Sequence, residues 1–393
     1  MPVKIGLQIG NDVLVPTVLD SGLRWGVPIT YETTFHKAPL AALETDPMME
    51  LSALSVAGPD DYRAAFDDIY ARGWTDGLPV IPPKEAYVRD MLAFNGLHAD
   101  DVAAEVAPDG APATMEKIAI NAVMAGCRNE YLPVLVAAVR AMAEPRFNLM
   151  GIQGTTNSVT PFFIINGPIR HKIDLNCGRG ALGPGRRANA TIGRALRLIL
   201  INIGGGKPGE IDKAEMGQPG KYTFCLGELE EESPWNTLHM DLGYRREDST
   251  VTAIGVQGTL SFRTPYSQPE SILMMTANAM AVYGSGSYNN GIGNPVLILS
   301  PGHANLFNDA GWPKPRICEW LFEHTKIPVD VMPKESTQSR HRTPRILAGD
   351  NRICICEKPD DIVIIVAGSA EPYHVTHLYN FGPSAMVTKR IDS

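Results

Sequence analysis

Six short apolar runs that alternate with helical stretches constrain this 393-residue chain more than any other feature. They are "PFFIING" from 161, "YTFCLGE" from 222, "STVTAIGVQG" from 249, "NPVLILSPG" from 294, "RICICEK" from 352 and "DDIVIIVAG" from 360. Each is too short for a helix of ordinary length, rich in β-branched residues and flanked by turn residues, which is the pattern of a buried strand. Helical periodicity fills the gaps at 188–203, 269–283, 302–310 and 314–326. Strands that are apolar on both sides need helices to cover them. The expected class is therefore α/β: an N-terminal helical region followed by a mixed or parallel sheet covered by helices.

Three segments follow from the same reading. Residues 1–58 form a small βαβ-like segment, with strands at 3–9 and 27–35 around a helix over 12–26 and then a Pro- and Ala-rich boundary. Residues 59–145 are mainly helical, with apolar positions at i, i+3, i+4 spacing, Asp60 and Thr114 as N-caps, and Gly96 and Gly126 as stops. Residues 146–393 are the α/β body that carries the expected site.

Composition removes several function classes. Apolar residues make up 44% and charged residues 20%, and no apolar stretch reaches the ~18 residues of a membrane span. A net charge of −8 argues against a nucleic-acid surface. No export signal opens the chain, and six cysteines without a C-x-x-C pair read as reduced thiols, so the expected location is cytoplasmic. A chain of this size with large apolar helices is expected to form a homo-oligomer.

Within that acidic chain, "NCGRGALGPGRRANATIGRALRLILINIGGG" (176–206) places arginines and glycines around a strongly apolar helix. Glycines 178, 180, 183 and 185 precede the helix start, where unpaired N–H groups favour anions. Arg186, Arg187, Asn189, Arg194 and Lys221 are the expected binders of a small anionic molecule. An arginine on a buried helix needs a counter-charge, and an Asp or Glu of the same chain would also serve. The loop matches neither a Walker A nor a dinucleotide fingerprint.

Three strand-like runs lead to histidines: "FFIINGPIRH" to His171, "VLILSPGH" to His303 and "IVIIVAGSAEPYH" to His374, with His377 one helical turn on. Ligands of α/β sheets lie beyond the carboxyl ends of strands. His303 and His374 are therefore the expected acid and base, with Glu228 in reserve; Glu230, Glu231, Glu232 and His239 follow it after the same strand, where the carboxylates could supply a base, metal ligands or ion-pair partners for the arginines. A metal ion held by His171, His303 and His374 is the alternative to metal-free chemistry. Cys225 is the expected nucleophile if thiol chemistry operates, with Lys221 on the same strand face.

"RGWTDGLPVIPP" (72–83), "EKIAINAVMAGC" (116–127), "GPGRRANATIGRALRL" (183–198) and "QPGKYTFC" (218–225) together resemble a poorly characterised bacterial family associated with UGSC-type (seleno)protein domains. The resemblance runs from about residue 60 to the C-terminus. Residues 5–39 are similar to the later half of a UGSC-type domain, with Gly10–Val13 where its reactive motif falls and no cysteine before Cys127. That resemblance implies a lost redox centre.

The expected function is an enzyme acting on a small anionic organic substrate by acid–base or lyase-type chemistry. The rivals are a thiol-dependent redox component working with a separate selenol or thiol protein, and a non-catalytic assembly subunit.

Overall fold

A computed structural model describes residues 17–19, 22–24, 51–53, 58, 61–289, 293–337, 351–382 and 384–392. The chain forms two compact units, Met1–Glu50 and Leu51–Ser393. In the first, Thr17–Leu19 and Gly22–Arg24 pair as antiparallel strands where a helix over 12–26 is expected. The Asp-Ser-Gly turn signature between two short apolar runs outweighs a weak helical period. The expected strands at 3–9 and 27–35, and Gly10–Val13, lie outside the described residues.

The second unit holds a mixed seven-stranded sheet surrounded by helices. Its strands are β1 (Thr160–Asn166), β2 (Cys225–Gly227), β3 (Thr250–Arg263), β4 (Val296–Leu299), β5 (Val363–Val366), β6 (His374–Asn380) and β7 (Val387–Arg390). Their order is β5-β4-β6-β3-β1-β2. The outer pairs β4/β5 and β1/β2 are parallel, and the inner contacts are antiparallel. The long β3 offers one edge to β1 and shares its other edge between β7 and β6.

Curling brings the two edges of the sheet together at their carboxyl ends. The Leu229 N–H donates to Val366 O (2.7 Å), and the Gly368 N–H donates to Cys177 O (2.9 Å). Period-2 alternation then sends one set of side chains, including Phe162, Ile164, Leu226, Ile254, Ile298, Ile365 and Leu378, into a core inside the curl. The opposite set on β4, β5 and β6, including Leu297, Leu299, Ile364 and Val375, packs under helices.

Those helices are α6 (Pro269–Met280), α7 (Pro301–Asp309) and α8 (Lys314–His324). Elsewhere α1 (Tyr62–Ala71), α2 (Glu85–Phe94), α3 (Met115–Ala125), α4 (Leu132–Met142) and α5 (Arg187–Asn202) form a helical layer, in which α3 packs on α5 and α4 on β3 and β7. Thr114 caps α3 by accepting from Lys117 N, and Gly126 ends it at φ 88°. The first helix is capped by Asp61 instead of Asp60.

Several elements of this unit differ from expectation, among them β7, which was not among the six expected strands. The helical region contains a hairpin, Val102–Val106 with Ala111–Thr114, turning at Asp109-Gly110 with Gly110 at φ 69°; its alanines gave no β signal. His374 and His377 lie on strand β6, where a helical turn is expected, and the strand is held between β3 and β4. Of the expected strand "RICICEK" only Arg352–Ile353 forms, and Cys354 and Cys356 follow it.

Candidate active site

The arginines of 176–206 find partners inside the protein. Arg194 makes a bidentate pair with Asp76 (both contacts 2.8 Å) and also donates to Leu78 O. Arg197 donates to Lys221 O and Thr160 Oγ1 and faces Asp212 at 3.8 Å. Lys221 binds the same Asp212 at 2.6 Å. Asn189 pins its own loop, donating to Asn176 O and Ala181 O and accepting from Asn176 N. Arg194, Lys221 and Asn189 thus hold the helix and its loop in place.

Arg186 and Arg187 stay at the surface. Arg186 meets the exposed Asp174, and Arg187 Nε donates to Gly126 O. Arg179 reaches the exposed Glu371 across the sheet seam. Exposed pairs of this kind contribute only about 0–1 kcal/mol, so an arriving anion can exchange with them at small cost.

A buried polar centre lies beside this loop, at the carboxyl ends of β1 and β2. Asn166, the last residue of β1, donates through Nδ2 to Glu228 Oε2 (2.7 Å) and Glu230 Oε1 (3.1 Å). The Gly167 and Leu238 N–H groups bind Glu230 Oε1 and Glu228 Oε2. Arg170 is enclosed, donating to Gly167 O, Glu228 O and both oxygens of Glu231, with Glu230 Oε2 at 3.1 Å. His239 Nδ1 meets Thr237 Oγ1 at 2.8 Å and lies 3.9 Å from Glu230. Gly167 and Gly227 make the packing feasible: a Cβ at Gly167 would lie 2.2 Å from Asp248 O, and one at Gly227 would lie 2.4 Å from Cys177 Sγ.

Four atoms of this centre are buried without a hydrogen-bond partner: Asn166 Oδ1, Glu228 Oε1, His239 Nε2 and Thr250 Oγ1. Asn166 and Thr250 face each other across β1 and β3. Buried polar groups are nearly always satisfied, so four atoms without a protein partner in one network set this centre apart from the ordinary interior. Burial pushes the Glu228 carboxyl above the usual carboxylate range. Oε2 already accepts two N–H groups, so Oε1 is the oxygen left to take a proton when the carboxyl is neutral.

A stability prediction follows. A carboxyl raised above its unfolded value of 4.5 keeps its proton in the native state after the unfolded chain has lost it, so stability falls as pH rises through that window. Glu228→Gln removes this loss. Thermal unfolding from pH 4.5 to 8 should show the variant gaining on the wild type as pH rises; a constant difference would mean that Glu228 ionises normally.

Of the three strand-end histidines, His303 and His374 are neighbours, and His171 lies apart at the Glu228–Glu231 turn. His303 is buried, with Nδ1 against Ser300 Oγ and Nε2 against Thr264 Oγ1, both at 2.9 Å. Burial lowers its pKa, and the charge of the neighbouring, exposed His374 adds to the effect. With both ring nitrogens engaged, His303 ties the β4–α7 turn to Thr264. His171 instead meets Glu231 at 2.9 Å. Among the described residues no group of three or more His, Cys, Asp or Glu could hold a metal ion, so His171, His303 and His374 do not form the metal centre that stood as the alternative.

Cys225 is fully buried, and burial pushes its thiol well above the ordinary range. Lys221 sits on a 3₁₀ turn bound to Asp212, away from the expected shared strand face. Cys177 has Arg170 3.8 Å away, yet burial outweighs that cation and raises its pKa too.

Asn166, Arg170 and Thr250 are the members of the centre that the sequence did not single out. The available signal was polar residues closing two apolar runs, "IIN" and "CLGE". No family model, curated protein or solved structure matches the chain.

Proposed function

We propose that the protein is an enzyme that moves a proton on a small anionic organic molecule, with Glu228 as general acid and His239 as general base. The observation that carries this reading is the set of four unpaired buried atoms around Asn166, Glu228, His239 and Thr250. A neutral carboxylic acid and an imidazole with a free nitrogen can remove a proton from carbon and return it to carbon or to a departing oxygen. Arg179, Arg186 and Arg187 would take the anionic group, since the loop that bears them leaves directly from Cys177 at the edge of the centre. Glu231 and His171 form its solvent-exposed side.

Membership of the UGSC-associated family remains part of the proposal, supported by the way its four motifs meet. Asp76, Asn121, Gly126 and Lys221, from the other three, all contact α5 or its leading arginine. The buried Cys127, Cys177, Cys225 and Cys318, free as thiols, support a reducing, cytoplasmic setting. No helix among the described residues is long and apolar enough to cross a membrane. The exposed Met274 and Met275 of α6 support self-association.

The test is deuterium wash-in. Purified protein is incubated in D₂O with a panel of small hydroxy, amino, keto and phosphorylated carboxylic acids, and C–H signals are followed by NMR. Exchange or elimination with at least one member is expected, falling about 10²- to 10⁴-fold in Glu228→Gln and His239→Asn. A wild-type protein inert to the whole panel, or variants as active as the wild type, would overturn the proposal.

A further inference from the structure

We infer that the free edge of β3, at Thr259, Ser261 and Arg263, pairs antiparallel with the same edge of a second copy of this chain, about a two-fold axis through Ser261. This deepens the proposed self-association, on which it rests, and uses none of the proton chemistry.

β3 is longer than the strand beside it. β1 covers its edge only as far as Val256, opposite Thr160. There side chains finish the edge: Gln218 Nε2 donates to Val256 O (3.0 Å) and Ser158 Oγ donates to Gln257 O (3.3 Å). Beyond them β3 continues to Arg263, held on its other side by β6, with Leu378 opposite Thr259 and His374 opposite Arg263. No strand among the described residues pairs with the free side of this stretch.

The ladder to β6 fixes where the backbone groups point. The Thr264 N–H donates to Tyr373 O (2.9 Å), so Leu260, Phe262 and Thr264 turn their N–H and C=O groups to β6. Those of Thr259, Ser261 and Arg263 point away from it, and all three residues are exposed. Such edges are normally guarded by Pro, Lys or a bulge. The stretch "GTLSFR" (258–263) holds no Pro or Lys, its single charge stands at its end, and the register shift with β6 lies before it, opposite Tyr379.

A second copy fits this edge. With the axis at Ser261, Thr259 of each copy faces Arg263 of the other, and the outward N–H groups of each meet the outward C=O groups of the other. No like charges meet. On the opposite face Leu260 stands across from Phe262, which already packs with the core beneath α6, and cross-strand pairs of aromatic and apolar residues are favourable. Pairing one edge with itself uses up the edge on both copies, so the assembly closes as a dimer. The covering helix α6, which packs on β6, exposes Met274 and Met275 on the same layer.

The test is sedimentation velocity of the purified protein across a concentration series. A monomer–dimer equilibrium is expected. Ser261→Pro removes an N–H that faces away from β6, so the ladder within the chain stays while the dimer loses the hydrogen bond given by each Ser261. Its dissociation constant should rise at least about tenfold. Thr259→Arg and Thr259→Glu, at an exposed position, check the register without touching the core. Arginine would face Arg263 of the other copy and glutamate would pair with it, so at low salt the first should weaken and the second tighten the dimer about two- to tenfold. Glu228→Gln should dimerise like the wild type, which separates this inference from the enzymatic one. A dimer equally tight in Ser261→Pro, or Thr259 variants that shift affinity in the same direction, would overturn this edge and leave self-association to another surface. A wild-type protein monomeric at every concentration would overturn both.

Discussion

Arg170→Met is expected to destabilise the protein by about 3–5 kcal/mol, the cost of breaking a buried ion pair by removing one partner. Its side chain is 3% exposed, and its buried partner Glu230, at 3.1 Å, is 6% exposed. The guanidinium serves two backbone carbonyls, Gly167 O and Glu228 O, as well as Glu231. Methionine fills a similar volume but donates to none of these acceptors, and it leaves the buried Glu230 carboxylate without its cation. Arg186→Met is the matched control, since its pair with Asp174 is exposed on both sides and should contribute at most about 1 kcal/mol.

Urea unfolding of the two variants decides the point through their transition midpoints. Equal, small losses would mean that Arg170 is not what holds the end of β1 to the Glu228–Glu231 turn. The acid limb offers a second readout. Hydrogen bonds from Arg170 hold Glu231 at about 2, below its ordinary 4.5. A depressed carboxylate contributes stability above its unfolded value and loses it as pH falls from about 4.5 toward about 2. Arg170→Met should flatten stability over that interval.

Most of the fold was legible because its signals are local. Strands β1, β3, β4 and β5 are runs of Val, Ile, Phe and Leu bounded by turn residues, and helix α5 (187–202) starts and ends within one residue of its expected span. The hairpin at 102–114 was not legible, since "VAAEVAPDGAPAT" carries little β preference and its order depends on packing. Strand β6 was missed because "HVTHLYN" alternates only in the context of β3 and β4 on either side. The site was harder to read for a related reason. The sequence shows that Arg194 needs an acid but not that the acid is Asp76, 118 residues away. It shows Glu228 beyond a strand, but Asn166 becomes its neighbour only because β1 and β2 lie parallel.

The same long-range logic makes Gly193 the second sensitive position. On an exposed helix surface, glycine to alanine gains about 1 kcal/mol from propensity. At Gly193 the sign should reverse. A Cβ there would stand 2.5 Å from Thr223 Oγ1 and 2.6 Å from Phe224 N, the backbone that leads into β2. Thr223 Oγ1 also donates to Asn189 O one turn earlier, so helix and strand are already joined at contact distance. Neither the peptide nor the hydroxyl can rotate away, and α5 must lift off the sheet.

Gly193→Ala is therefore expected to lose about 1–3 kcal/mol, the cost of an overpacked contact. Ala190→Gly, at an exposed site one turn away, should lose about 1 kcal/mol by propensity alone. The consequence extends past stability, because β2 ends at Gly227 and delivers Glu228 to the polar centre. A strand displaced by the added methyl moves Glu228 relative to Asn166, so proton exchange in Gly193→Ala should fall further than in Ala190→Gly at matched folded fraction. Should Gly193→Ala instead gain about 1 kcal/mol, the helix would not be seated on β2 at all, and the positioning of Glu228 would have to come from Arg170 and Leu238 alone.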